Sequence, residues 1–160
     1  DLSRDEKKDR NELFGKFSEG LRRLKPYYHE LGDDKKLLEI PVTTIPVIKI
    51  PFHLSYLLYI SGISIALMRF YLWFAVKMCK ITNTRPSFLL HPLDLIGGDK
   101  IAQLKFFPGM NIESERKTEV FKMVIGYLKK HYKLVPMDEH FYHQYGLMNQ
   151  AQKNRSETVV

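Results

Sequence analysis

The sequence predicts an α/β fold in which about three parallel strands alternate with helices. Short runs rich in Leu, Ile, Val and Thr recur along the chain, and longer helical segments separate them. One of these runs, SFLLH at 87–91, is continuously apolar at its centre, which is typical of a strand buried on both faces of a parallel sheet. Because three strands form only a small sheet, we expect them to belong to a larger barrel.

The predicted elements follow one another in a regular order. The charged residues 4–14 follow Ser3, a typical N-cap, and predict the first helix. The remaining predictions are strands at 37–44, 87–91 and 133–137 and helices at 53–80, 113–131 and 138–146. Pro41 lies inside the first of these strands and argues against an ordinary central strand beyond that point. We expect residues 1–146 to form a partial domain and residues 147–160 to be a disordered polar tail.

The longest apolar stretch, residues 53–80, has three interpretations. It could be a membrane span, although a span requires roughly 20 predominantly apolar residues and Arg69 and several serines interrupt this stretch. It could also be a helix buried against a sheet, or a helix that contacts a membrane surface while Arg69, Lys77 and Lys80 reach the headgroups. In each case Gly62 predicts a break.

The net charge and the cysteine content restrict the classes of function that the sequence predicts. Lys and Arg number 25 against 18 Asp and Glu, which gives a net charge of +7 without a long basic block. This predicts a solvated basic surface, with an anionic surface or a phosphate-bearing ligand as the alternative, and no nucleic-acid motif accompanies it. The single cysteine, Cys79, excludes an internal disulfide. The charged start shows no signal peptide, so we expect a cytoplasmic location or one peripheral to the inner membrane.

His91 is the leading candidate for chemistry. It ends the strand predicted at 87–91, and active sites of parallel α/β folds gather at the carboxyl ends of strands. Imidazole titrates near neutral pH and can donate or accept a proton. Asp94 follows three residues later and could orient the ring. The alternative is that His91 hydrogen-bonds a loop carbonyl and that Asp94 helps to form the turn.

Two further groups of residues are weaker candidates. Glu39 is an acidic residue in an apolar strand, so if buried it needs a partner such as a cation or His91. Thr43 places a hydroxyl near the same edge. His140 and His143 are spaced three apart on a predicted helix, which permits shared metal ligation, although no third ligand is evident nearby.

Several segments resemble the C-terminal half of polysaccharide deacetylases of the NodB-homology type. They are LLEIPVTTIP, PFHLSYLLYISG, RPSFLLHPLDLIGG and FFPGM, and the resemblance covers roughly residues 3–146. The most specific piece is SFLLHPLD, which matches the closing Leu-x-His motif of that family as Leu89-Leu90-His91.

The resemblance implies a distorted (β/α) barrel and a metal-dependent N-deacetylation of an amino sugar. It implies that His91 is the general acid that protonates the leaving amine and that Leu89 lines the acyl pocket. We expect Glu39 and Asp94 beside His91 as catalytic residues, and Pro92 and Thr43 as substrate contacts. The expected substrate is an amino sugar, free or lipid-linked, and the metal expected for the complete family domain is zinc.

The chain departs from the family pattern in its metal and base motifs. T-F-D-D, H-x-x-x-H and R-x-P-Y are all missing from the sequence. We therefore expect no metal site in this chain, no activity from it alone, and a missing N-terminal half of the barrel as its partner. The alternatives are a catalytically dead binding or structural module and a small membrane-associated protein.

Overall fold

The computed structural model describes residues 23–32 and 35–157, and that part of the chain is mostly helical. It contains one antiparallel hairpin of two strands, followed by four α-helices. These elements are β1 (Tyr27–Glu30), β2 (Lys36–Glu39), α1 (Leu54–Ile63), α2 (Ile65–Ile81), α3 (Ser114–His131) and α4 (Met137–Glu157). The helix predicted at 4–14 lies outside the described residues.

The prediction of parallel strands from a (β/α) barrel is wrong for the described residues. The hairpin pairs Tyr27 with Glu39 and Glu30 with Lys36 in antiparallel register. Segments 87–91 and 133–137 contain no strand. An apolar run favours an extended backbone locally, but a strand also needs a continuous ladder of partners, and here neither segment has one.

The strand predicted at 37–44 is shorter than expected, and it pairs with β1, a strand that was not predicted. β2 ends at Glu39, before the proline that was expected to limit it. Its partner β1 directly follows Pro26. The chain turns between them at Gly32, whose φ of +81° is in the left-handed region that glycine adopts without strain.

Two helices occupy the segment predicted as one helix at 53–80. They meet at Ser64, two residues beyond the expected break at Gly62. Ser64 is extended, with φ −160°, and its hydroxyl accepts a hydrogen bond from the Leu67 backbone N–H at 3.3 Å. Serine at this position caps the second helix, because its side chain satisfies a donor that lacks an intrahelical partner. No helix in the described part of the chain has both the length and the apolar character needed to cross a membrane.

The core lies where α1, α2 and α3 meet. All three helices contact one another, and their fully buried side chains include Leu57, Met68, Leu72, Val120 and Val124. α3 confirms the helix predicted at 113–131. α4 begins one residue before the predicted 138–146 helix and continues to Glu157, so it includes residues 147–157, for which the sequence predicted a disordered tail.

Two extended segments, 41–46 and 85–91, lie beside the start of α1 and position the loop that follows. The Thr43 backbone N–H donates to the Ser87 carbonyl at 3.0 Å, and the Ser87 N–H donates to the Thr43 hydroxyl at 2.7 Å. The Leu54 N–H donates to the Leu89 carbonyl at 3.3 Å. These bonds fix residues 87–89 against the helix start, so His91 emerges next to the first turn of α1.

Candidate functional site

The site is the loop at 91–94 together with the first residues of α1. His91 precedes a short 3-10 helix, Pro92–Asp94, as its N-cap. The His91 backbone N–H donates to the Asp94 carboxylate at 2.9 Å, and the Asp94 N–H donates to the His91 carbonyl at 2.9 Å. The proline suits the first position of such a helix, because no hydrogen bond is lost there. The loop therefore holds His91 and Asp94 side by side through local bonds.

The His91 ring is held at one nitrogen. Ser55 Oγ lies 2.9 Å from His91 Nδ1, and Asp94 Oδ2 lies 3.5 Å from the same nitrogen. The His91 side chain is 50% exposed, whereas the Asp94 side chain is 7% exposed. The His91 side chain also accepts a hydrogen bond from the Asp94 backbone N–H. Among the described residues no hydrogen bond or ion pair involves Nε2, so this second nitrogen is available to a ligand.

His53 forms the inner wall of the site. It is the N-cap residue of α1, and its ring lies edge-on to that of His91, with centroids 5.9 Å apart. His53 Nδ1 is buried and has no hydrogen-bond partner among the described residues. Burial lowers the pKa of His53, the nearby His91 lowers it further, and Asp94 opposes the shift. His53 is therefore neutral at neutral pH.

The arrangement does not form a Ser-His-Asp nucleophilic triad. In such a triad the serine and the aspartate bind opposite nitrogens of the histidine. Here Ser55 and Asp94 both approach Nδ1 of His91. Cys79 is not a nucleophile either, because burial raises the pKa of its thiol to about 11. The geometry instead suits proton transfer at Nε2, with the other nitrogen anchored.

A buried lysine holds the 91–94 loop and the residues that follow it. Lys117, on α3, is 2% exposed, and its Nζ donates to the carbonyls of Leu93 at 2.7 Å and Ile96 at 2.8 Å. Burial lowers the pKa of Lys117, and the nearby Asp94 and Asp99 oppose the shift. Because its two bonds lie on either side of Asp94–Leu95, Lys117 ties the loop that contains His91 and Asp94 to the helical core.

The predicted site residues are placed in different parts of the molecule. Asp94 lies beside His91, and Leu89 and Pro92 lie in the same segment. Glu39 pairs with His29 across the hairpin, with Oε2 2.5 Å from Nε2. Thr43 is 1% exposed and bonds to Ser87, which makes it a support of the segment at 87–91.

Sequence reasoning missed Ser55, His53 and Lys117 as members of this site. The first two form a His-x-Ser pattern after Pro51, at the start of the longest apolar stretch, and that pattern could have marked them. Lys117 is the lysine that falls on the apolar face of α3, three residues before Val120. A charged residue at a core position is an informative signal, because lysine is rarely fully buried without partners.

The described residues provide no group of three His, Cys, Asp or Glu side chains that could hold a metal ion. His140 and His143, considered from the sequence as a ligand pair, lie beside a cation: His143 Nδ1 is 2.7 Å from Arg85 Nη1. The described residues thus do not fit the zinc that the resemblance implies.

No protein-family model, curated protein or solved structure matches this chain.

Proposed function

We propose that this chain carries the proton-transfer histidine of an amino-sugar N-deacetylase, with His91 as the group that protonates the leaving amine. The proposal combines the resemblance of SFLLHPLD to the Leu-x-His motif with one structural observation. That observation is the anchoring of His91 at Nδ1 by Ser55 and Asp94, which leaves Nε2 without a partner in the described part of the chain.

The chemistry of amide hydrolysis explains why such a histidine is needed. An amine leaves a tetrahedral intermediate readily only when it has been protonated, and an imidazole near its pKa can supply that proton at neutral pH. Ser55 and Asp94 are positioning residues, because both contact the ring at Nδ1 and the ring is half exposed. The proposal assigns no step to a metal and none to Glu39, which bonds to His29.

The test of this proposal measures binding and turnover of an N-acetylated chitooligosaccharide. We expect the sugar to shift the imidazole NMR signals of His91 and any amine release to fall about 10²–10⁴-fold in His91→Gln, the range for loss of an acid catalyst. Ser55→Ala removes the contact at Nδ1 and should shift the imidazole NMR signals of His91 in the absence of sugar. His131→Gln, at the end of α3, is the control. An unshifted His91 spectrum together with equal amine release by wild type and His91→Gln, including none by either, would contradict the proposal.

A second candidate function is attachment to an anionic lipid surface, and the outer side of α2 favours it. Leu67, Phe70 and Trp73 are 48%, 59% and 47% exposed, and they recur every three residues. We call these three residues the α2 apolar face. The exposed Arg69 and Lys77 flank it, and cations beside aromatic side chains are typical of helices that lie in a membrane interface.

Trp73 is the only tryptophan of the chain, so its fluorescence reports on this face directly. Attachment predicts a blue shift of the emission with vesicles that contain phosphatidylserine and a weaker shift with phosphatidylcholine alone. Phe70→Ser should reduce the binding, whereas Leu37→Ser, an exposed leucine on the hairpin, should not. Unchanged emission with both vesicle types would exclude this function.

A further inference from the structure

A cavity whose lining does not include His91 lies between the 85–90 segment, the end of α3 and the start of α4. Its volume is about 630 Å³, within the range of about 300–1,000 Å³ typical of small-molecule sites. Most of its wall is apolar, and Phe88, Leu90, Leu128, Tyr132 and Val135 contribute to it. A cavity of this size and lining suits an apolar ligand body.

The same cavity contains a cluster of cationic and imidazole groups. Arg85, Lys133, His140 and His143 all line it. Arg85 Nη1 lies 2.7 Å from His143 Nδ1 and 3.2 Å from His143 Nε2, so the guanidinium is in direct contact with the imidazole ring. Burial lowers the pKa of His140, and Arg85 and then His143 lower it further. The cluster therefore concentrates positive potential on His140.

The acidic group in this wall does not neutralise the cluster. Glu139 Oε1 bonds to Lys133 Nζ at 3.0 Å, so its charge is already paired. Arg85 is bonded to an imidazole, which does not carry a compensating negative charge. A guanidinium in this situation has a donor surplus that matches a carboxylate or phosphate.

We propose that this cavity, the Arg85 cavity, binds an amphiphile with a carboxylate or phosphate head and an apolar body. The head contacts Arg85 and His140, and the body lies along Phe88, Leu90 and Leu128. The inference uses none of His91, Ser55 and Asp94, which perform the proposed proton transfer, so either proposal can fail without the other.

Isothermal titration calorimetry with octyl phosphate and octanoate, both below their micelle concentrations, tests the proposal. We expect both to bind, and we expect inorganic phosphate and octylamine to bind at least tenfold more weakly. Inorganic phosphate lacks the apolar body, and octylamine carries the same body with the opposite charge. The two anions show whether the site distinguishes a phosphate from a carboxylate head.

Two variants and a control locate the binding. Arg85→Gln should weaken octyl phosphate about tenfold or more, as expected for loss of a hydrogen bond to a charged group. Leu90→Ser, at an exposed position, should weaken octyl phosphate but leave inorganic phosphate unchanged. Arg116→Gln, an exposed arginine paired with Glu119 at 3.0 Å, should leave both unchanged. Thermal unfolding of each variant verifies that it is folded.

Three results would overturn the proposal. The first is the absence of binding by both octyl anions. The second is equal binding of octyl phosphate by wild type and Arg85→Gln, which would mean that the anionic head is held elsewhere. The third is equal binding of octylamine and octyl phosphate, which would mean that the cavity selects only for apolar surface.

Discussion

At the scale of single residues, Lys117 shows how one buried charge can hold a loop in place. A buried ammonium group is costly unless its donors are satisfied. Lys117 satisfies two of them with carbonyls on either side of Asp94–Leu95, and Asp94 in turn accepts the backbone N–H of His91. The position of the His91 ring therefore depends on a residue of α3 that does not touch it.

Replacing Lys117 with Met should lower the free energy of unfolding by about 1–3 kcal/mol. The methionine retains the apolar stem but leaves the carbonyls of Leu93 and Ile96 without their donor. Urea unfolding measures the change. Lys122→Met, at an exposed position on the same helix, is the matched control and should change stability by less than about 0.5 kcal/mol. Equal effects of the two substitutions would show that the two hydrogen bonds contribute nothing.

At the scale of elements, the Gly97-Gly98 pair joins the loop that contains His91 and Asp94 to the segment before α3. Both glycines are buried. A Cβ on Gly97 would lie 2.3 Å from the Ile112 carbonyl oxygen, and a Cβ on Gly98 would lie 2.9 Å from that of Met110. Glycine is required at both positions because two backbone segments approach closely there. Neither residue has a positive φ, which is the reason that glycine suits the turn at Gly32.

Gly97→Ala and Gly126→Ala should have opposite effects on stability. The Gly97 substitution places a methyl group against a backbone carbonyl that cannot rotate away, and we expect a loss of about 1–3 kcal/mol. Gly126 lies inside α3 with nothing within 4 Å of its added Cβ, so alanine there should stabilise the helix by about 0.5–1 kcal/mol. Denaturant midpoints of both variants measure this. A stable Gly97→Ala protein would contradict the close approach.

At the scale of the whole molecule, three histidines link stability to pH. The pKa values of His53, His131 and His140 are all lowered, and burial is the largest cause in each case. The unfolded chain therefore binds more protons than the folded protein once the pH falls to the ordinary histidine pKa of about 6.5. Stability is full above that pH and is lost as the pH falls through the lowered values.

The protein should accordingly be less stable at pH 5.5 than at pH 7.5. Urea unfolding at the two pH values, at constant ionic strength, gives the difference in midpoint. The combined variant His53→Gln, His131→Gln, His140→Gln should show a smaller difference than the wild type, because it removes the groups that titrate in this window. A midpoint that is equal or higher at pH 5.5 would reverse the predicted sign.

The predictions from sequence succeeded where the signal was local. α3 was predicted to within one residue at its start, because Val120, Val124 and Leu128 repeat along one face and charged residues occupy the other. The break in the apolar stretch was also expected, although it lies at Ser64. The predicted α/β class failed because SFLL favours an extended backbone whether or not a neighbouring strand pairs with it.

The candidate site was predicted in part for the same reason. Asp94 was expected to orient His91, and it lies three residues away, where a local turn brings the two together. Ser55 lies 36 residues from His91 in sequence, and only the packing of the 85–91 segment on α1 makes them neighbours. Glu39 was expected near His91, but the hairpin pairs it with His29.

The sequence by itself determined α3, the interrupted apolar helix and the His91–Asp94 turn, because each depends on residues within a few positions of one another. The tertiary structure decided which backbone edges pair, which side chains surround His91, and where Arg85, His140 and His143 meet. Those outcomes depend on contacts between distant segments. The energies of such contacts arise from burial and geometry, and neither is visible in a local pattern.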